Sequence, residues 1–261
     1  TPAGSTGGTT AQTPATTESP TGTSGTKSSK KVPVLIYHRV KDGTTPGETV
    51  IPVSKFKEEM KYLNDNGYKT ISISELVNFM KGQGDVPDKA IVLTFDDGWS
   101  EMDDVVAPIL NQYNFKASFW IFPGSGIGGP YMPWEDIIKL SNNPNFEIGA
   151  HSMTHPWDKS SNLVTWVDGK VNGRGIEDAK KEIEDSKKIL EQKMGKSIRY
   201  FAWPVGWYND KLIEIAKSAG YAATLSAEEG PNSQGDDVFK INRIFIDGAC
   251  GMDEFKATFN D

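Results

Sequence analysis

The chain of 261 residues predicts an α/β fold, a distorted (β/α) barrel of about seven to eight strands, on three grounds. Strand-like and helix-like segments alternate about eight times along it. The clearest strands, Val32-Pro33-Val34-Leu35-Ile36-Tyr37-His38 and Ala90-Ile91-Val92-Leu93, are apolar almost throughout, as strands covered on both faces are. The residues able to carry chemistry, His38, Asp96, Asp97, His151 and the turn at Val205, fall at strand carboxyl ends, the rim where barrel enzymes place their sites.

Residues 1–30 are almost entirely Thr, Ser, Gly, Pro and Ala, with no larger apolar side chain to offset ordering entropy, so 1–31 reads as a disordered linker and 32–261 as one domain. After the strand 32–38, Ser54 offers a cap for a helix with Phe56, Met60 and Leu63 at helical spacing, ending at Asn66-Gly67. A strand over 68–73 follows, then a helix capped by Ser74 and running to Met80, then the loop 82–88 into the strand that ends at Asp96-Asp97. The spacing predicts a helix over 101–113 and a strand over 115–122. Gly124 to Gly129 fits the GxGxxG dinucleotide pattern, but Pro130 and Pro133 exclude the helix that pattern must open, so a mobile loop is expected. A helix over 134–140 and a strand over 145–150 lead to His151. Residues 156–175 lack periodicity and carry Trp157 and Trp166, either sugar-stacking platforms or packing residues. Ile176, Ala179, Ile183, Ile189 or Leu190, and Met194 form one face of a helix closed by Gly195, its charged remainder a solvated face. Strands at 198–203, 221–225 and 239–246 and helices at 212–219 and 253–259 complete the series.

Net charge of −7 with no clustered basic face excludes a nucleic-acid partner. No run of eighteen apolar residues is present, so no membrane span is expected. The chain starts at Thr1 without a Met or an apolar signal region, as a processed chain or a segment of a larger protein would. The linker composition suits an exported module, extracellular or at the cell surface, tethered to another domain or a wall anchor. Cys250 is the only cysteine, which excludes an internal disulfide and a thiolate cluster.

Two stretches concentrate the chemistry. In Thr94-Phe95-Asp96-Asp97-Gly98, two adjacent carboxylates share one site only if the chain turns, as Gly98 permits; an ordinary turn explains the same residues. In His151-Ser152-Met153-Thr154-His155, two of the chain's three histidines stand four apart. Two imidazoles and a carboxylate from another strand end match the three ligands and open position of catalytic zinc, although an accidental surface pair would look the same.

TFDDG followed by HSMTH resembles the first two signature motifs of the polysaccharide deacetylases, carbohydrate esterase family 4, and the resemblance covers 32–261. It implies Asp96 as general base and Asp97, His151 and His155 as ligands of a divalent metal, zinc first, with cobalt, nickel or iron as alternatives. Arg199 to Gly206 is similar to the third motif, RxFRxPxG. It implies that the backbone N–H of Val205 stabilises the oxyanion. Trp203, Trp207, Tyr208 and Trp157 are the candidate substrate-binding residues. Ala202 stands where many members have the arginine that orients the base; Arg243 is the candidate replacement. The late Leu-x-His motif that often supplies the general acid is absent from Ile244-Phe245-Ile246-Asp247. His38 resembles the early Tyr-His acid of the poly-N-acetylglucosamine deacetylase subgroup, the rival reading being a core histidine. Because an amine leaving group must be protonated, His38 favours N-deacetylation of an N-acetylglucosamine-containing polysaccharide, chitin-like, poly-N-acetylglucosamine or peptidoglycan. The alternatives are O-acetyl esterase activity on xylan and a non-catalytic carbohydrate-binding role. No GxSxG elbow supports a serine hydrolase.

Overall fold

The computed structural model describes residues 27–124 and 127–259. Its framework is one set of parallel strands: β1 Val34–Tyr37, β2 Lys69–Thr70, β3 Ala90–Phe95, β4 Ala117–Ile121, β5 Phe146–Ala150, β6 Tyr200–Ala202, β7 Ala223–Leu225 and β8 Ile244–Phe245. They lie in the order β7-β6-β5-β4-β3-β1-β8, with β2 on the start of β3. The sheet curls into a distorted barrel, and a parallel bridge between Leu225 and Ile241 draws its two ends together. Register aligns the carboxyl ends: Tyr37 pairs with Phe95, Phe95 with Phe119, Ile121 with Ala150, and Ala150 with Phe201. The residues that follow, His38, Asp96 and His151, therefore reach one rim.

Among the described residues, eight α-helices surround the strands: α1 Val53–Asp65, α2 Ile73–Met80, α3 Ala107–Gln112, α4 Trp134–Ser141, α5 Leu163–Val167, α6 Ile176–Met194, α7 Asp210–Ser218 and α8 Met252–Ala257. Strand alternation divides the core. Leu35, Tyr37, Leu93, Phe95 and Phe119 pack with Phe56, Met60 and Leu63 of α1 and with Ala179, Ile183 and Leu190 of α6. Val34, Val92, Trp120, Ala202 and Leu225 pack with Ile73, Leu76 and Phe79 of α2. Gly149 allows β5 to approach Trp120, whose Cζ3 would lie 1.9 Å from an added Cβ.

Several elements differ from their sequence expectations. Ser54 lies inside α1 because Pro52 occupies the cap position and Asp42 Oδ1 accepts from the Val53 N–H at 3.0 Å. Ser72, not Ser74, caps α2, in a reciprocal pair with Glu75, while Ser74 Oγ donates to Glu147 Oε1. The expected helix 101–113 is a π-turn, Met102–Val106, followed by α3, since Pro108 cannot donate the usual helical bond. The expected strand 239–246 shrinks to Ile244–Phe245 because Asn242 N and Arg243 N donate to Asn232 Oδ1 and Glu228 O instead. The segment 156–175 is not structureless: Trp157–Asp158 pairs with Ser161–Asn162, and Asn162 with Thr165 caps α5. Trp166 is buried there, its Nε1 donating to Ser161 Oγ. Residues 1–26 of the expected linker lie outside the described residues; Lys31, assigned to its end, pairs with Ser233. Ser125 and Gly126 of the glycine-rich segment also lie outside them. No described helix is long and apolar enough to cross a membrane.

Candidate active site

Beyond β3 the chain turns sharply. Asp97 adopts φ 78° and Gly98 φ 78°, and the turn brings two successive carboxylates to one rim. Asp96 is buried and gripped by Arg243, whose Nη1 donates to Oδ1 at 2.7 Å and Nη2 to Oδ2 at 3.0 Å. Arg243 is itself fully enclosed, its Nε donating to Ser226 O at 2.7 Å and its Nη1 reaching Thr94 Oγ1 at 3.4 Å. Burial alone would raise the Asp96 carboxyl, but the Arg243 guanidinium, with His151 and His38, overcomes it and pulls it down to about 2. The geometry is the planar, bidentate one for which arginine is suited and lysine is not.

Asp97 presents its two oxygens differently. Oδ2 accepts from Trp99 Nε1 at 3.1 Å, whereas Oδ1 is buried without a hydrogen-bond partner among the described residues. That oxygen faces His151 Nε2 at 3.6 Å and His155 Nε2 at 3.4 Å. Two ligand atoms on one zinc at about 2.0–2.1 Å in tetrahedral array stand roughly 3.4 Å apart, so the spacing fits a cation between them. His151 Nδ1 lies 2.8 Å from the Ala202 carbonyl, which can only accept, so the proton sits on Nδ1 and the Nε2 lone pair is free. Burial lowers the His151 imidazole to about 4, against the pull of Asp96 and Asp97, which keeps that lone pair unprotonated at neutral pH. An orphaned carboxylate oxygen and a neutral imidazole, with a second imidazole beside them, are together the donor set that a divalent cation takes.

The loop 151–155 holds its shape through strained backbone: Ser152 at φ 64° and His155 at φ 53° are left-handed non-glycine residues, each costing about 1 kcal/mol. His155 N donates to Ser152 Oγ at 3.0 Å. Phe122 packs on the His155 ring and Tyr131 on Phe122, while Trp99 stacks on Tyr131 and carries Arg39 on its ring.

His38 reaches the same rim with its ring stacked on Phe245 at 5.5 Å and its Nδ1 buried without a partner among the described residues. Val205 is exposed on a tight turn at φ 57°, strained for a β-branched residue, and Gly206 follows at φ 75°. A Cβ on Gly206 would stand 2.5 Å from Ala227 N, so only glycine lets the turn close against that strand end. Val205, Trp207, Tyr208, Glu228, Lys159 and Asn162 are among the residues lining a groove of about 560 Å³. A second groove of about 560 Å³ adjoins it at Val205, Lys159 and Trp207 and includes Trp157, which is 68% exposed. Trp203 belongs to neither. It is fully buried, against Phe201 and Tyr208, so its assignment as a substrate-binding residue is corrected: it shares the inward-facing side of the chain with Phe201.

Two groups escape the sequence reading. Trp99 follows the aspartate turn and holds Asp97 by its indole N–H, and only its place two residues on hints at this. Glu182 on α6 is buried rather than part of a solvated face, and it accepts from Met153 N, Thr154 N and Thr154 Oγ1. Its signal is position, beside Ile183 and three after Ala179 on the apolar stripe.

A family model described as polysaccharide deacetylase matches residues 83–224, a span that contains Asp96, Asp97, His151, His155 and Val205 but neither His38 nor Arg243. YxkH of Bacillus subtilis (strain 168), which carries a provisional polysaccharide deacetylase name, is 25% identical over 232 residues, 89% of this chain and 77% of its own length. The poly-beta-1,6-N-acetyl-D-glucosamine N-deacetylase of Escherichia coli (strain K12) is 24% identical over 252 residues, 85% of this chain. This chain spans only 37% of that enzyme's length. The structure of deacetylase PplD of Streptococcus pyogenes, in complex with acetate, shares the fold, with a TM-score of 0.76 at 21% identity over 90% of this chain and 100% of that one. Because the family model takes in more than half of the sequence and both motif-bearing strand ends, the chain belongs to the polysaccharide deacetylases, carbohydrate esterase family 4.

Proposed function

We propose that the protein is a metal-dependent N-deacetylase that removes acetyl groups from an N-acetylglucosamine-containing polysaccharide and releases acetate. The observation that carries this reading is the division of labour between neighbouring carboxylates. Asp96 is committed to Arg243 by both oxygens, while Asp97 leaves a buried oxygen open toward two imidazoles. Pairs of titratable groups in opposed environments mark an acid–base site.

Asp97, His151 and His155 would hold the divalent cation, zinc first. Such a cation supplies Lewis acidity toward water and an acetyl carbonyl, help that a base as weak as Asp96 requires. Asp96 stays ionised at neutral pH and, aimed by Arg243, takes a proton from the attacking water. The water oxygen bonds to the acetyl carbon, and the Val205 backbone N–H steadies the resulting oxyanion. His38 delivers a proton to the sugar nitrogen as the C–N bond breaks, so that acetate and a free amine leave. The two adjoining grooves, with Trp157, Trp207 and Tyr208, supply stacking faces for a chain of sugar rings. A polymeric substrate of this kind agrees with an extracellular or cell-surface location and a tether through 1–31.

Acetate release is measured from N-acetylglucosamine oligomers and from acetylated xylan. The reading predicts turnover on the former with little on the latter; the reverse pattern makes the protein an O-acetyl esterase, and none on either leaves a carbohydrate-binding protein.

A further inference from the structure

We propose that Glu182 is the positioning residue of the metal centre: from α6 it fixes the loop that presents His151 and His155. This rests on the reading of Asp97, His151 and His155 as cation ligands. The loop 151–155 turns back on itself through left-handed Ser152 and His155, and its two middle residues point their backbone N–H groups at one place. Met153 N and Thr154 N both donate to Glu182 Oε2, at 2.9 and 2.8 Å, and Thr154 Oγ1 donates to Oε1 at 2.7 Å. Glu182 is 8% exposed, so these bonds form largely away from competing water.

The consequence lies in where the carboxylate is anchored. Its helix, at 19 residues, is the longest among the described residues, and Ala179, Ile183 and Leu190 fasten it into the main core. A loop of strained residues has no reason of its own to keep two imidazoles converged. A buried acceptor on a rigid element gives it one. Outer groups that orient ligands typically change metal affinity 10–100-fold when removed.

The test is the zinc Kd of the metal-stripped full chain, read by competition with a chromogenic chelator, beside the thermal midpoint of the same stripped samples. Glu182→Asp keeps the charge but withdraws it by one methylene, and is expected to raise the zinc Kd by about 10–100-fold. Glu182→Gln keeps a carbonyl oxygen able to accept from both N–H groups and an amide able to donate to Thr154 Oγ1, and is expected to stay within about threefold of the unmodified protein. A merely structural role would lower the thermal midpoint of both and leave both affinities alone. A Glu182→Asp affinity within twofold of the unmodified protein overturns the proposal, and so does equal weakening in Glu182→Gln, which would make charge rather than placement the cause. If the unmodified protein binds no zinc, the metal reading fails and the proposal with it. Zinc binding that is indifferent to residue 182 removes the proposal alone.

Discussion

Arg243 Nη1 and Nη2 close on the two oxygens of Asp96 at 2.7 and 3.0 Å, joining the segment just before β8 to the aspartate turn 147 residues earlier. The pair is buried on both sides, and Ser226 O and Thr94 Oγ1 take the remaining guanidinium bonds. Replacing Arg243 by Ala leaves a buried carboxylate whose desolvation is no longer opposed by the guanidinium, so its pKa rises. We expect Arg243→Ala to lower kcat by about 10²–10³ and to shift the acid limb of the pH–rate profile upward, with zinc still bound. An unmoved acid limb would mean that Asp96 is not the base.

His38 sits across the rim with one nitrogen unpartnered and its ring against Phe245. His38→Ala is expected to reduce kcat on an N-acetyl substrate by roughly two to four powers of ten and to spare an activated O-acetyl ester by comparison. Zinc content, measured on the same preparation, stays at the unmodified level. Its loss would make His38 a ligand.

The tryptophans that line the grooves make a separate forecast. Trp157→Ala and Trp207→Ala remove stacking faces from the grooves without touching the aspartates or histidines. Each should raise KM on oligomers by about 5–30-fold, equivalent to about 1–2 kcal/mol of stacking, with kcat nearly constant. Steady-state kinetics on a monosaccharide and a pentasaccharide check this, since only the longer substrate should feel the change.

Stability carries its own pH signature. Glu59 is buried in α1 beside Tyr37, and burial above all raises its carboxyl to about 7, against the pull of Lys55 and the Tyr37 hydroxyl. The unfolded chain ionises this group near 4.5 and the folded one near 7, so its contribution to stability is full below 4.5 and is lost as pH rises to 7. Glu59→Gln removes the titration. Its thermal midpoint relative to the unmodified protein should therefore improve between pH 5 and pH 8, by the equivalent of roughly 2–3 kcal/mol. A difference that does not move with pH would show that Glu59 ionises freely in the fold.

How much of this is legible in the sequence depends on the range of the interaction. Asp96 and His151 are visible because each directly follows a strand, whose end fixes its own next residue, and Asp97 because Gly98 lets the chain turn there. Arg243 is legible only through the family resemblance, since Ala202 stands where many members carry the arginine that orients the base. Trp203 misleads because a strand-end tryptophan reads as exposed until the alternation with Phe201 is followed inward. Glu182 is hidden because sequence shows only a charge on a charged helix, while its burial depends on a loop some thirty residues earlier. The caps of α1 and α2 fail for the same reason: Asp42 reaches Val53 from outside the helix, and Glu147 claims Ser74 from β5.

The central claim is that Asp97, His151 and His155 grip one cation on which acetyl hydrolysis depends. Zinc titration of the stripped protein, coupled to acetate release from an N-acetylglucosamine oligomer, measures this directly. The account predicts one equivalent bound per chain, activity abolished by chelation and restored as that equivalent returns, and neither binding nor restoration in Asp97→Ala. Acetate released at the same rate by stripped and loaded protein would contradict it.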